Sequence, residues 1–227
     1  MTSLRRTLIV AAATAVAMTL PARPNAQTPV ADADARGWIS LFDGTTLTGW
    51  RVRNPGAKNA WVAENGVLRN TETGTDLVTE RRFGDFDLHV EFNVPRGGNS
   101  GVYLQGRYEV QIADSYRQAP SHGGCGAIYS KVLPTENVGK PADDWQAFRI
   151  SFRQPRLGAD GTVTEKARVT VHWNGILVID RKEVDGVTGG ELDRAEGTPG
   201  PIMLQGDHGP ILYRNIRIRP VPSQPAR

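Results

Sequence analysis

The sequence predicts an all-β protein, an antiparallel two-sheet β-sandwich or jelly roll. Three observations carry the prediction. Several runs place apolar residues at every second position, the period of a half-buried strand. Two Asn-Gly pairs, Asn65-Gly66 and Asn174-Gly175, each join two such runs, as two-residue hairpin turns prefer. The chain also carries 25 Gly and 15 Pro, and pieces of helical period are short or absent. At 227 residues it can form one domain, or at most two, with a sizeable core.

The first 26 residues read differently from the rest. A basic pair, Arg5-Arg6, precedes an apolar run from Leu8 to Leu20. That run is too short to span a bilayer and suits an export signal, although a short uncleaved anchor would look similar. Residues 1–26 are therefore expected to be a signal peptide, 27–36 a linker, 37–220 the sandwich domain and 221–227 a tail. The expected location is the periplasm or the cell exterior, with no membrane span. The formal charge of +3 comes from the leader: Arg5, Arg6 and Arg23 belong to it, leaving 24 basic against 24 acidic residues. A balanced chain gives no reason to expect nucleic acid as a partner. Cys125 is the only thiol, so no internal disulfide can form, and "HGGCGAIYS" reads as a buried small residue.

From there the strands follow in order. "AWVAENGVLRN" is a hairpin around Asn65-Gly66. In "FDLHVEFNV" Leu88, Val90, Phe92 and Val94 share one face, and His89, Glu91 and Asn93 the other. "GGNSGVYLQGRYEVQI" follows a glycine-rich turn and alternates Val102, Leu104, Tyr108, Val110 and Ile112 with Tyr103, Gln105, Glu109 and Gln111. "AFRISFR" sets Phe148, Ile150 and Phe152 against Arg149, Ser151 and Arg153, and "ARVTVHWNGILVID" is the second hairpin. "PIMLQGDHG" and "ILYRNIRIRPV" close the domain. The core is expected to contain Leu88, Val90, Phe92, Val110, Ile112, Phe148, Ile150 and Phe152.

The polar faces hold the functional candidates. A merely solvated face would carry more Lys and Thr than the set His89, Glu91, Asn93, Tyr103, Gln105, Glu109 and Gln111. Carboxylates, amides and imidazoles exchange hydrogen bonds with sugar hydroxyls, and an aromatic ring stacks on a pyranose. Several such strands side by side would make a carbohydrate site. The same face would equally suit a non-catalytic, lectin-like carbohydrate-binding module, with Trp61, Trp145 and Trp173 as platforms if they are not core residues.

The blocks "GWISLFDGTTLTGW", "FDLHVEFNVPRGGNSGVYLQGRYEVQI", "GAIY" and "GPIMLQGDHGPILYRNIRIRP", in that order, resemble the bacterial 3-keto-disaccharide hydrolase domain family over about Gly37 to Pro220. The resemblance implies a concanavalin-A-like sandwich of the lectin/glucanase type. It also implies an exported enzyme acting on small carbohydrates that a separate glycoside 3-oxidoreductase has oxidised at C3. A ketone at C3 acidifies the C2 proton, so a base can remove it, the C1 oxygen can leave, and water can add to the enone. This route needs a base, an acid and a partner for the enolate oxygen, rather than paired carboxylates at fixed separation.

Glu109, His208 and Glu91 are the expected catalytic groups, with Asp207 and Asp114 also able to supply a carboxylate. His89, Asn99, Ser100, Tyr103, Gln111, Asp114, Lys131 and Gln205 are expected to bind substrate. Lys131 or a divalent metal ion held by Glu91, Glu109 and His208 would meet the enolate. No nucleotide or flavin cofactor is expected. Mid-strand Glu91 and Glu109 must either face the site or pair with Arg. Asp114 could instead cap a turn, His208 and His122 could be surface histidines, and turn formation alone could explain Asn99 and Ser100 in "GGNSG". The sequence sets neither the sugar nor the oligomeric state.

Overall fold

The computed structural model describes residues 36–222, so the expected signal peptide, nearly all of the linker and most of the tail lie outside the described residues. Among the described residues fifteen strands form in chain order: β1 (Ile39–Ser40), β2 (Trp50–Val52), β3 (Trp61–Glu64), β4 (Val67–Asn70), β5 (Leu77–Thr79), β6 (Phe86–Asn93), β7 (Asn99–Leu104), β8 (Tyr108–Ala113), β9 (Trp145–Arg153), β10 (Arg156–Leu157), β11 (Val163–Glu165), β12 (Ala167–Trp173), β13 (Ile176–Val184), β14 (Met203–Leu204) and β15 (Ile211–Pro220). No helix is present among the described residues, and none is long and apolar enough to cross a membrane.

A larger antiparallel sheet runs β13-β12-β9-β6-β15-β4-β3, with β1 also on β15, and a smaller one runs β2-β5-β14-β7-β8. Alternation decides what lies between them. Leu88, Val90 and Phe92 of β6 and Phe148, Ile150 and Phe152 of β9 meet Val110 and Ile112 of β8, and all are fully buried. The Tyr108 ring of the smaller sheet stands 5.3 Å from Phe152 of the larger one. Emptying a core aromatic position of this kind costs about 3–5 kcal/mol. Cys125 is buried in the same core, and burial pushes its thiol up to about 12.

Both Asn-Gly pairs make the expected hairpin turns, with φ of 51° and 79° at Asn65-Gly66 and 51° and 86° at Asn174-Gly175. A third hairpin was not visible in the sequence. The run from Val102 to Ile112 is two strands, and Gln105 and Gly106 turn between them with φ of 55° and 67°. The fold-back pairs Tyr103 with Glu109 and Gly101 with Gln111, so the polar set stays on one face. Gln105 leaves it: the amide is buried at the turn and donates to the Phe83 carbonyl and Gln154 Oε1.

Candidate active site

The outer face of the smaller sheet carries Val78, Met203, Tyr103 and Glu109 in one cross-strand row. Glu109 sits on edge strand β8, yet it is 3% exposed. Its cover is the segment after β13. There Thr188 Oγ1 accepts the Glu109 N–H, Leu192 packs on Val78, Tyr103 and Met203, and Arg53 donates to the Gly190 and Glu191 carbonyls. Buried Arg107 fixes the far end of the cover through Asp193 and Thr198.

Under this cover Glu109 has no cationic partner among the described residues. Burial pushes its carboxyl up, the Tyr103 hydrogen bond at 2.9 Å partly offsets that, and the charges of Asp207 and Asp76 push it further, to about 8. The Tyr103 hydroxyl also stands 3.0 Å from the Gly189 carbonyl. It can therefore donate to ionised Glu109, or accept from protonated Glu109 and donate to Gly189. Glu109 Oε1 makes no hydrogen bond within the described protein, and it lies over Gly101, where a Cβ would collide with it. Glycine there leaves the room the carboxyl occupies.

Next along the same face, Gln111 Nε2 donates to Asn99 Oδ1 at 2.9 Å, leaving Asn99 Nδ2 and Gln111 Oε1 unused. Gln205 follows Leu204 on β14, its N–H bonded to the Gly101 carbonyl, and its buried Oε1 has no partner. The loop after it carries Asp207 and His208. Asn70 Nδ2 donates to the Gly206 and Gly209 carbonyls, each at 2.8 Å, and Asp76 accepts the Gly206 N–H. A Cβ on Gly206 would meet the Thr75 carbonyl at 2.5 Å, so this tight anchoring requires glycine. Asp207 Oδ1 meets His208 Nδ1 at 2.5 Å, which leaves Nε2 as the ring nitrogen able to accept a proton. Asp76 ties this loop to the cover: its Oδ1 accepts the Gly206 N–H and its Oδ2 pairs at 3.0 Å with Arg53, which donates to the Gly190 and Glu191 carbonyls.

Glu109, Tyr103, Asn99 and Gln111 thus share one face of the β7–β8 hairpin, and Gln205, Asp207 and His208 follow from β14, the strand beside β7. Other expected members stand elsewhere. Glu91 and His89 lie on the outer face of the larger sheet, across the core from Glu109. Burial pushes the Glu91 carboxyl up, but Arg214 at 2.7 Å and Asn215 at 2.8 Å outweigh it and hold its pKa below the ordinary value. Ser100 turns into the core, where Oγ bonds the Gln205 carbonyl and Tyr213. Asp114 caps the glycine turn by accepting the Gly97 N–H, and Lys131 is exposed where Asp185 feels its charge. The Glu91, Glu109 and His208 set is therefore not gathered around one point. Among the described residues no group of three or more His, Cys, Asp or Glu is placed to hold a metal ion.

Sequence reasoning missed Asp76, Arg53 and the Thr188–Glu191 cover. Trp61 and Trp173 are core residues, and the Arg214 guanidinium lies 3.9 Å over the Trp145 ring. None of the three is an open sugar platform.

Solved structures with this architecture include a candidate glycosyl hydrolase from Parabacteroides distasonis, 33% identical, with a TM-score of 0.71 over 82% of this chain and 84% of that one. The carbohydrate binding module CBM66 from Bacillus subtilis, 12% identical with a TM-score of 0.50 over 76% of this chain and 96% of that one, shares the fold alone. With the site just described, the protein falls in the class of β-sandwich enzymes that cleave carbohydrates. A curated relative, the 3-keto-disaccharide hydrolase of Bacteroides thetaiotaomicron, is 31% identical over 82% of this chain and 79% of its own length. The chain belongs to the 3-keto-alpha-glucoside-1,2-lyase-like domain family, whose sequence pattern matches residues 37–219.

Proposed function

We propose that the protein cleaves 3-keto-disaccharides or 3-keto-glucosides by proton abstraction at C2, elimination at C1 and hydration. The observation that carries this reading is a carboxyl, Glu109, buried with no cationic partner among the described residues, so that burial pushes its pKa up to about 8, in a sheet whose loop after β14 carries the Asp207–His208 pair. His208 Nε2 takes the C2 proton, and its charge is balanced by Asp207. Glu109, protonated, hands its proton through Oε1 to the departing C1 oxygen. Asn99 Nδ2 and the Gln205 amide supply hydrogen bonds to the enolate oxygen and ring hydroxyls. The first half-reaction releases the alcohol and leaves a C1=C2 double bond conjugated with the C3 ketone. Water then adds OH at C1 and H at C2, giving net hydrolysis.

The substrate must come from a reaction that oxidises a glycoside at C3. Export fits such a role, and the Arg5-Arg6 pair with the Leu8–Leu20 run supports a mature start near Gln27. N-terminal sequencing of the native protein checks that start, and an intact Met1 in the cytoplasm would refute it.

Incubating the mature protein with a 3-keto-glucoside in D2O tests the chemistry. The expected result is release of the aglycone with deuterium at C2 of the sugar. Release without C2 deuterium, or equal turnover of the unoxidised glucoside, would overturn the elimination route. Binding without turnover would make the protein a carbohydrate-binding module.

A further inference from the structure

The outer face of the larger sheet carries an arrangement that the cleavage reaction does not use. Across β15, β6, β9 and β12 the register aligns Arg217, His89, Arg149 and His172 side by side. Burial and the flanking Arg217 and Arg149 charges hold the His89 pKa below its ordinary value, so the two arginines carry the positive charge of the row, with strands in register about 4.8 Å apart. The acids of this face are already taken: Glu91 is bonded to Arg214 at 2.7 Å, and Asp87 to Arg219 at 2.6 Å. Among the described residues neither Arg149 nor Arg217 has an ion-pairing carboxylate. Glu91 approaches His89 only to 3.7 Å. The row therefore concentrates positive charge in a chain that is balanced as a whole beyond residue 26.

The same residues line a pocket of about 350 Å³ with Arg36, Trp38 and Ala147. The Arg217 and Arg219 guanidinium groups lie over the Trp38 ring at 5.5 and 5.2 Å. We propose that this pocket binds a sugar carboxylate, a uronate-type ring, at a site separate from Glu109 and independent of the cleavage reading. A planar carboxylate matches the guanidinium forks of Arg149 and Arg217. A bare anion would leave most of the pocket unfilled, whereas a sugar ring reaches His89 and His172 with its hydroxyls and the Trp38 edge with its carbons.

The test is calorimetric titration of the mature protein at low ionic strength with glucuronate, glucose and sulfate, repeated on the Arg149→Gln/Arg217→Gln double variant. The parent should bind glucuronate at one site, at least tenfold tighter than glucose or sulfate. The double variant should lose tenfold or more of that affinity while cleaving 3-keto-glucoside at the parental rate. Arg149→Lys, which keeps the charge and removes the fork, should weaken glucuronate binding severalfold. Backbone amide NMR shifts should centre on His89, Arg149 and His172. Equal binding of sulfate, equal binding of glucose, unchanged affinity in the double variant, or shifts confined to the Glu109 face would each overturn the proposal.

Discussion

Glu91 and Glu109 occupy alike positions, each the outward member of an alternating strand whose other side is core, yet their surroundings drive them apart. Glu91 stands on an open sheet face beside Arg214 and Asn215, and its carboxyl is held ionised. Glu109 stands under the Thr188–Glu191 segment, with a phenol for company and two acids nearby, and its carboxyl holds a proton to about pH 8. The difference teaches that burial alone does not make a proton donor. Burial without a cation does, and the cover supplied by a distant segment creates that condition. The two faces differ in the same sense: on one, Arg53 and Arg107 are spent on Asp76, Asp193 and the cover and leave Glu109 without a cation, while the other gathers arginines beyond its carboxylates.

The largest effect expected from this contrast is on rate. Glu109→Gln and His208→Ala should each lower turnover of 3-keto-glucoside by about 10²–10⁴ with the fold intact, whereas Glu91→Gln should stay within a fewfold of the parent. Steady-state kinetics decide it, and a Glu91→Gln loss equal to that of Glu109→Gln would break the contrast.

A smaller effect is on stability. The Glu109 pKa is raised from 4.5 to about 8, so ionising it in the folded protein is penalised progressively above pH 4.5 and fully above about pH 8. Glu109→Gln removes that penalty. In urea denaturation the variant should match the parent near pH 4.5 and exceed it by about 1–3 kcal/mol at pH 8.

Activity should fall as pH rises through about 8, where Glu109 gives up the proton it donates, and the fall should be absent in Glu109→Gln. Tyr103→Phe sharpens this. The Tyr103 hydrogen bond lowers the Glu109 pKa, so its removal should move the alkaline limb of the pH–rate profile to higher pH. The smallest effect lies on the other face. Arg149→Gln removes one of the two guanidinium charges that flank His89 and should raise unfolding free energy by a few tenths of a kcal/mol in low-salt urea titrations, a gain that added salt should shrink.

Much of the fold was legible because alternation is local. Residues 86–93, 145–153 and 167–173 declare their buried faces by period two, and Asn65-Gly66 and Asn174-Gly175 declare their turns. The Gln105-Gly106 turn hid because it interrupts the alternation without shifting its parity. The site was legible residue by residue but not as a set. Glu109, Tyr103, Gln111, Asn99, Gln205 and His208 show themselves as polar members of strands or of a glycine-rich loop. Whether Glu91 joins them depends on which sheet receives each strand, and alternation is silent on that. Arg214 lies 123 positions from Glu91, and Thr188 lies 79 positions from Glu109. The cover that buries Glu109 depends on such long-range contacts, and no local pattern encodes them.

Carbon-13 NMR titration of the glutamate side-chain carboxyls in the parent protein, with Glu109 and Glu91 assigned through their Gln variants, tests the central claim most directly. The Glu109 carboxyl should titrate near pH 8, and the Glu91 carboxyl below its ordinary range. A Glu109 midpoint at or below 4.5, no higher than that of an exposed glutamate, would contradict the assignment of Glu109 as the proton donor.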